Sequence, residues 1–208
     1  MKKDKADIVI IGAGAAGSAG AWNLSENTNL KIICLEQGPE LENSKFPKSK
    51  AEQISSAEFD IDPNQRGLKS DYPIDNTASP ISISNFNAVG GSTILYSGHF
   101  PRFHVNDFKT HTVENVGEDW PLDYFELEPY YQLNDQKMRV AGMTGDPSYP
   151  PIENLDYPIP LGRGGEKLAS AFAGLGWHWW PSYSSVISNT GIRKRYIKKG
   201  IFNSGLSV

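Results

Sequence analysis

Gly12, Gly14 and Gly17 fall in the run Gly12-Ala13-Gly14-Ala15-Ala16-Gly17, a G-x-G-x-x-G, and an acid, Glu36, follows about twenty residues on. Each position has a separate task in holding a dinucleotide. Gly12 permits a tight turn, Gly14 lets the backbone approach a pyrophosphate, and Gly17 lets a helix pack closely on a strand. The carboxylate of Glu36 can accept hydrogen bonds from ribose hydroxyls, and its charge repels a 2′-phosphate, which disfavours NADP. By itself the unit suits FAD and NAD about equally, and its place at the extreme N-terminus leans towards FAD. The competing interpretation is a glycine-rich turn with no ligand.

The flanking elements are the ones such a site needs. Asp7 to Ile11 is a compact β-branched run, expected as a strand buried on both faces of a parallel sheet. Ser18 to Leu24 is alanine-rich and predicts a helix, closed by the polar Ser25 to Asn29, and Leu30 to Leu35 predicts a second strand ending at Glu36. The helix N-terminus would offer free N–H groups and about half a positive charge to phosphates.

Residues 40–88 are polar and interrupted by Pro47, Pro63, Pro73 and Pro80, which suggests a lid or an excursion over a ligand. Then comes Asn87-Ala88-Val89-Gly90-Gly91-Ser92-Thr93-Ile94-Leu95-Tyr96-Ser97-Gly98. Two adjacent glycines followed by hydroxyls can form a loop that approaches a large planar or phosphorylated ligand, with Ser92 and Thr93 ready to donate. An ordinary turn into a strand has the same letters.

Three separated stretches together resemble one family. The opening GAGAAG with Glu36, the run VGGSTILYSGHFPRF, and Trp120 to Tyr131 (WPLDYFELEPYY) are similar to the glucose–methanol–choline (GMC) family of FAD-dependent oxidoreductases. The FPRFH loop followed by Asp107-Phe108 is most similar to its gluconate- and sugar-dehydrogenase branch. The resemblance implies an α/β, Rossmann-like FAD-binding domain with a parallel sheet, plus the beginning of a substrate domain. It implies that Gly12, Gly14, Ala15, Ala16 and Gly17 meet the FAD diphosphate region and Glu36 the adenosine ribose. Gly90, Gly91, Ser92 and Thr93 would lie along the diphosphate and isoalloxazine side. Some members attach FAD through a histidine just after this Ser-Thr, but Ile94, Leu95 and Tyr96 stand here, so noncovalent FAD is expected. Residues 1–145 would be the flavin domain, with residues 40–88 as its lid excursion, and residues 146–208 the start of the substrate domain, with Gly142 to Pro160 as the linker candidate.

The implied reaction is two-electron oxidation of a CH–OH group in an alcohol, sugar or sugar acid, with oxygen, a quinone or a cytochrome as acceptor. Family members are longer, and their catalytic base comes later than anything present here. No catalytic residue is therefore assigned, and the chain alone is expected to be inactive. Two further alternatives are a flavin-free fragment and a small NAD-binding regulatory module.

The remaining features carry less chemistry. Asp123 with Glu126 predicts a capping box, and Pro129 suits the first turn of a following helix on which Tyr130, Leu133 and Ala141 would share a face. Lys167 to Ala173 predicts another helix, closed by Gly174 and Gly176. Trp177, Trp179 and Trp180 suit core or interface packing better than a sugar pocket, and His99, His104 and His111 are expected as solvated or capping side chains, outside metal-ligand spacing.

Composition bounds the rest. With 38% hydrophobic and 21% charged residues in 208, the chain has the balance of a globular protein, and its one cysteine, Cys34, excludes an internal disulfide. No run reaches the roughly 20 apolar residues of a membrane span, and the four residues Ile8 to Ile11 are too short for a signal core. The cytoplasm is the default expectation. The first 192 residues carry a balance of −9, which argues against nucleic acid, while residues 193–199 hold five basic groups and no acid follows them. That jump predicts a truncated or frame-shifted chain after about Ser188.

Overall fold

The computed structural model describes residues 5–42, 59–69, 71 and 74–186. The basic tail, the composition change after Ser188 and much of the expected lid lie outside the described residues. The chain divides after Tyr96 into two compact units.

The first unit is built on a βαβ crossover. Strand β1 (Ile8–Ile11) pairs in parallel with β2 (Ile32–Leu35) in the register Ile8↔Ile32 to Ile11↔Leu35. Asp7 pins their shared start: its N–H donates to the Lys31 carbonyl at 2.9 Å and its carboxylate accepts from the Lys31 N–H at 2.8 Å. Helix α1 (Ala15–Asn27) joins the two strands and begins and ends three residues beyond the predicted Ser18 to Leu24. Alanine at both early positions extends it, and the Thr28 hydroxyl closes it by donating to the Leu24 carbonyl at 2.7 Å. Helix α1 packs on the strands. The expected double-sided burial of β1 does not hold: Val9 is 55% and Ile11 87% exposed. Among the described residues α1 covers one face of a two-stranded sheet, and alternate side chains point to the other face. The unit also contains a four-residue turn of helix, α2 (Pro63–Arg66), and a 3-10 turn over Gly91–Leu95.

The second unit is helical with an aromatic core. It contains a 3-10 turn (Val105–Lys109), α3 (Thr110–Glu114), α4 (Tyr124–Met138) and α5 (Gly162–Gly174). The capping box forms as expected: Asp123 accepts from the N–H groups of Phe125 and Glu126, and Glu126 accepts from the Asp123 N–H at 2.9 Å. Pro129 does not start a second helix. It lies inside α4, six positions in, where one intrahelical bond is given up. Helix α4 then ends at Arg139, with φ of +56°, so Ala141 leaves the face expected for it and bridges to Asp156 and Ser184. Helix α5 begins five residues earlier than predicted.

Phe108, Tyr124 and Val140 are the largest fully buried side chains. Val140, Ile152 and Tyr183 form a cluster against which Trp180 packs, its indole N–H donating to the Met143 carbonyl at 2.8 Å. Trp180 thus packs against the core while partly exposed, whereas Trp177 is 62% exposed and stacks on Phe172. Burial, with help from Asp146, pushes the Tyr183 hydroxyl up to about 12. The Gly142-to-Pro160 stretch, expected as a linker, is held inside this unit by the buried Asp146 and Ile152 and by the Asp156 N–H, which donates to the Val140 carbonyl at 2.8 Å. The histidines are all engaged. His99 pairs with the Ser182 hydroxyl at 2.8 Å, His104 stacks on Tyr149, and His111 meets the Gly117 carbonyl at 3.1 Å.

Candidate functional site

The site forms where β1 and β2 end and α1 begins. Gly12 takes φ of +92°, a conformation that favours glycine, and its N–H donates to the Leu35 carbonyl at 2.7 Å. The turn therefore continues the pairing of the two strands. Ala13 is buried, and its carbonyl accepts from the Ser18 hydroxyl at 2.9 Å, locking the loop to the first turn of α1. A Cβ at Gly12 or Gly14 would enter open space, while one at Gly17 would collide with the Gly12 carbonyl. The first two glycines thus border open space, and the third is pressed against the strand as its spacing predicts. No side chain caps α1 and its first turn carries no acid, so its N–H groups at Ala15, Ala16 and Gly17 keep their affinity for an anion.

Glu36 closes β2 and faces this loop. One carboxylate oxygen accepts from the Ala13 N–H at 2.6 Å and the other from the Gly38 N–H at 2.7 Å. The bonds from Gly38 and Ala13 hold its pKa below the usual glutamate range. An ionised carboxylate has about four lone-pair sites, more than the backbone donors of Gly38, Ala13 and Gln37 fill, so it can still accept from a hydroxyl.

The sign of the pH effect follows from the lowered value. The tie is fully present above the ordinary glutamate pKa of about 4.3 and is lost as pH falls through the lower folded value. The stability difference between the wild type and Glu36→Gln is therefore expected to shrink on acidification below about pH 4, as measured by urea denaturation at a series of pH values. A difference that held constant to pH 2 would contradict it.

The second glycine stretch is brought onto the first. The Gly90 N–H donates to the Ala13 carbonyl at 2.9 Å, and a Cβ at Gly91 would lie 3.5 Å from Gly14 Cα. Both glycines have positive φ, +98° and +59°. Residues more than seventy positions apart in the chain thus form one glycine cradle. The hydroxyls expected to face a ligand donate inside the loop instead: Ser92 to Asn85 Oδ1 at 3.2 Å and Thr93 to the Gly90 carbonyl at 2.5 Å. Each hydroxyl has a single proton, so these two brace the loop rather than offer a donor outward.

Beside the cradle lies a cleft of about 440 Å³ lined by Ile11, Gly12, Leu35, Glu36, Gln37 and Asn87. It opens at the carboxyl ends of the strands, the usual ligand position in open α/β sheets, and it has the size of a small-molecule pocket. Sequence reasoning missed Gly38, whose absent Cβ lets Ala88 pass against its backbone, and Asn87, which lines the cleft. A glycine two residues after the strand-ending acid was the available signal for Gly38.

Strand, glycine turn, uncapped helix and strand-ending acid make this an α/β unit with the form of a dinucleotide site. No family model matches the chain. Among curated proteins it is similar to 2-methyl-1,2-propanediol dehydrogenase of Mycolicibacterium austroafricanum, with 39% identity over 89% of this chain and 34% of that protein. It is similar to the fructose dehydrogenase large subunit of Gluconobacter japonicus, with 31% identity over 82% of this chain and 35% of that protein. It is also similar to the oxygen-dependent choline dehydrogenase of Brucella suis biovar 1, with 28% identity over 62% of this chain and 22% of that protein. The chain spans about a third of the length of the first two relatives. These relatives are dehydrogenases of the GMC type, and the chain belongs with them. Among the described residues, no helix is long and apolar enough to cross a membrane.

Proposed function

We propose that this chain is the FAD-binding part of a GMC-type oxidoreductase acting on the CH–OH group of an alcohol, sugar or sugar acid. The observation that carries the proposal is the clasp between the two glycine stretches at Gly90 and Ala13, set beside the Glu36 carboxylate. In this reading the cleft at Glu36 takes the adenosine half, with the ribose hydroxyls donating to the carboxylate. The first turn of α1 holds the diphosphate through Ala15, Ala16 and Gly17, while Gly90 and Gly91 lie along the side leading to the isoalloxazine. When bound, FAD supplies the acceptor for the two electrons of alcohol oxidation.

Binding is noncovalent in this reading, since Ile94, Leu95 and Tyr96 follow Thr93 where a histidyl link would need a histidine. Residues 1–145 serve the flavin and residues 146–208 begin the substrate side. The sugar-dehydrogenase branch is supported by the fructose dehydrogenase relative. This chain's own part is to bind and orient the cofactor. No catalytic base is assigned in it.

The test is the visible absorbance of the purified protein together with calorimetric titration by FAD and by NAD. A flavin spectrum and one FAD per chain are expected, with Glu36→Ala weakening FAD by at least about tenfold through two lost charge-assisted bonds. Tight NAD binding without affinity for FAD would overturn the proposal. An unchanged FAD affinity in Glu36→Ala would remove the ribose role from that residue.

A further inference from the structure

We propose that Arg66 is the positioning residue for the second glycine loop, and through it for the flavin half of the ligand; this rests on the reading of the site as an FAD site. Arg66 lies on α2, well outside both glycine motifs, and its side chain is fully buried.

Each of its five N–H donors has an acceptor. Nε and one terminal nitrogen form a two-pronged pair with Asp71 at 2.9 and 2.8 Å. Both terminal nitrogens also reach the Asn85 carbonyl at 3.1 Å, and the last N–H donates to the Asp60 carbonyl at 2.7 Å. The guanidinium stands 4.4 Å from the centre of the Phe86 ring, which in turn stacks on the buried Phe59.

The two residues so gripped, Asn85 and Phe86, are the ones that hold the loop. Ser92 donates to the Asn85 side chain, and the Phe86 N–H donates to the Ser92 oxygen at 3.2 Å. Ser92 directly follows Gly90 and Gly91. A line of fixed bonds thus runs from the guanidinium through Asn85–Phe86 and Ser92 to the cradle.

A buried ion pair contributes little net stability when apolar groups could fill the same space. What this one adds is direction, because a planar fork with every donor engaged fixes the angle of the Asn85 carbonyl. Lysine has three donors on a flexible stem and cannot make the same set. Positioning of this kind should show in the part of the ligand that reaches the second loop, and not in the part held at Glu36.

The test compares FAD with AMP, which fills the Glu36 cleft and meets the second stretch only at Asn87, short of Gly90 to Thr93, using calorimetry on the wild type and on the double variant Arg66→Met/Asp71→Leu. The double variant leaves no unpaired buried charge. Amide exchange at Gly90 is followed in parallel without ligand. The FAD dissociation constant is expected to rise about tenfold or more with AMP within about twofold, because only the preorganised loop is lost. Gly90 exchange should quicken while Ile10 and Leu35 hold. If the double variant does not fold, Arg66→Lys, which keeps the charge, gives the same comparison.

Equal losses of FAD and AMP would mean general loosening and would overturn the role, as would unchanged FAD affinity. A wild type that binds neither ligand would sink the FAD reading itself. The Gly90 exchange would then decide for Arg66 alone, and an unchanged rate would refute it.

Discussion

Gly17→Ala should loosen the βαβ unit and Gly20→Ala should tighten it, although both place the same methyl group on the same helix. Alanine in a helix interior is favoured over glycine by about 1 kcal/mol. At Gly20 the new Cβ meets nothing within 4 Å, so that gain stands. At Gly17 it strikes the Gly12 carbonyl oxygen and comes within 3.1 Å of the Gly12 carbonyl carbon and 3.3 Å of Ile10 Cγ2. Two of those three are backbone atoms of the turn that carries the site, so no side-chain rotation relieves the contact. Forcing apart packed backbone costs about 3 kcal/mol or more, which exceeds the propensity gain. The amino end of α1 must move off β1, and with it the N–H groups of Ala15, Ala16 and Gly17. Amide exchange of Ile8–Ile11 and Ile32–Leu35 measures both variants: faster in Gly17→Ala and slower in Gly20→Ala. A shift of the same sign in both would refute the close-packing role of Gly17.

Asp135→Asn is expected to cost about 3 to 5 kcal/mol in the second unit. Arg102 donates to Asp135 Oδ2 at 3.0 and 2.7 Å and to the Tyr124 hydroxyl at 3.0 Å, and the two charged side chains are 3% and 5% exposed. Burial pushes the Asp135 carboxyl above the usual carboxylate range even with Arg102 beside it. Burial also pulls on Arg102, but its bonds to Tyr124 and Asp135 more than offset that and keep it charged. The pair therefore yields little net stability, yet removing the carboxylate strands a guanidinium away from water. Replacing both members, as Arg102→Met/Asp135→Leu, should cost far less than the single change. Urea denaturation of the wild type and the two variants measures the difference. A double variant less stable than Asp135→Asn would show the pair to be stabilising in its own right.

Much of the candidate site was legible because it is local. Gly12, Gly14 and Gly17 lie within six residues, and the turn at Gly12 and the close packing at Gly17 are settled by the residues beside them. The capping box at Asp123 was visible for the same reason, since its two partners are three residues apart. Pro129 misled: its preference for a first turn is a local rule, and the packing of α4, with Tyr124 fully buried at one end and Asp135 at the other, outweighed the lost backbone bond. For Ser92 and Thr93 a residue type shows a donor but not where that donor points, and here both donate to nearby groups of the chain.

What the letters alone determined is the parallel βαβ unit, its glycine turn and the acid at the end of the second strand, for their physics acts over one turn of helix or one step of strand. What tertiary structure decided is that Gly90 lies on Ala13, that Gly38 makes way for Ala88, and that Arg66 grips the carbonyl of Asn85. These contacts join segments tens of residues apart. They depend on which backbone groups meet after the chain has closed its loops, and no residue's own preference carries that information.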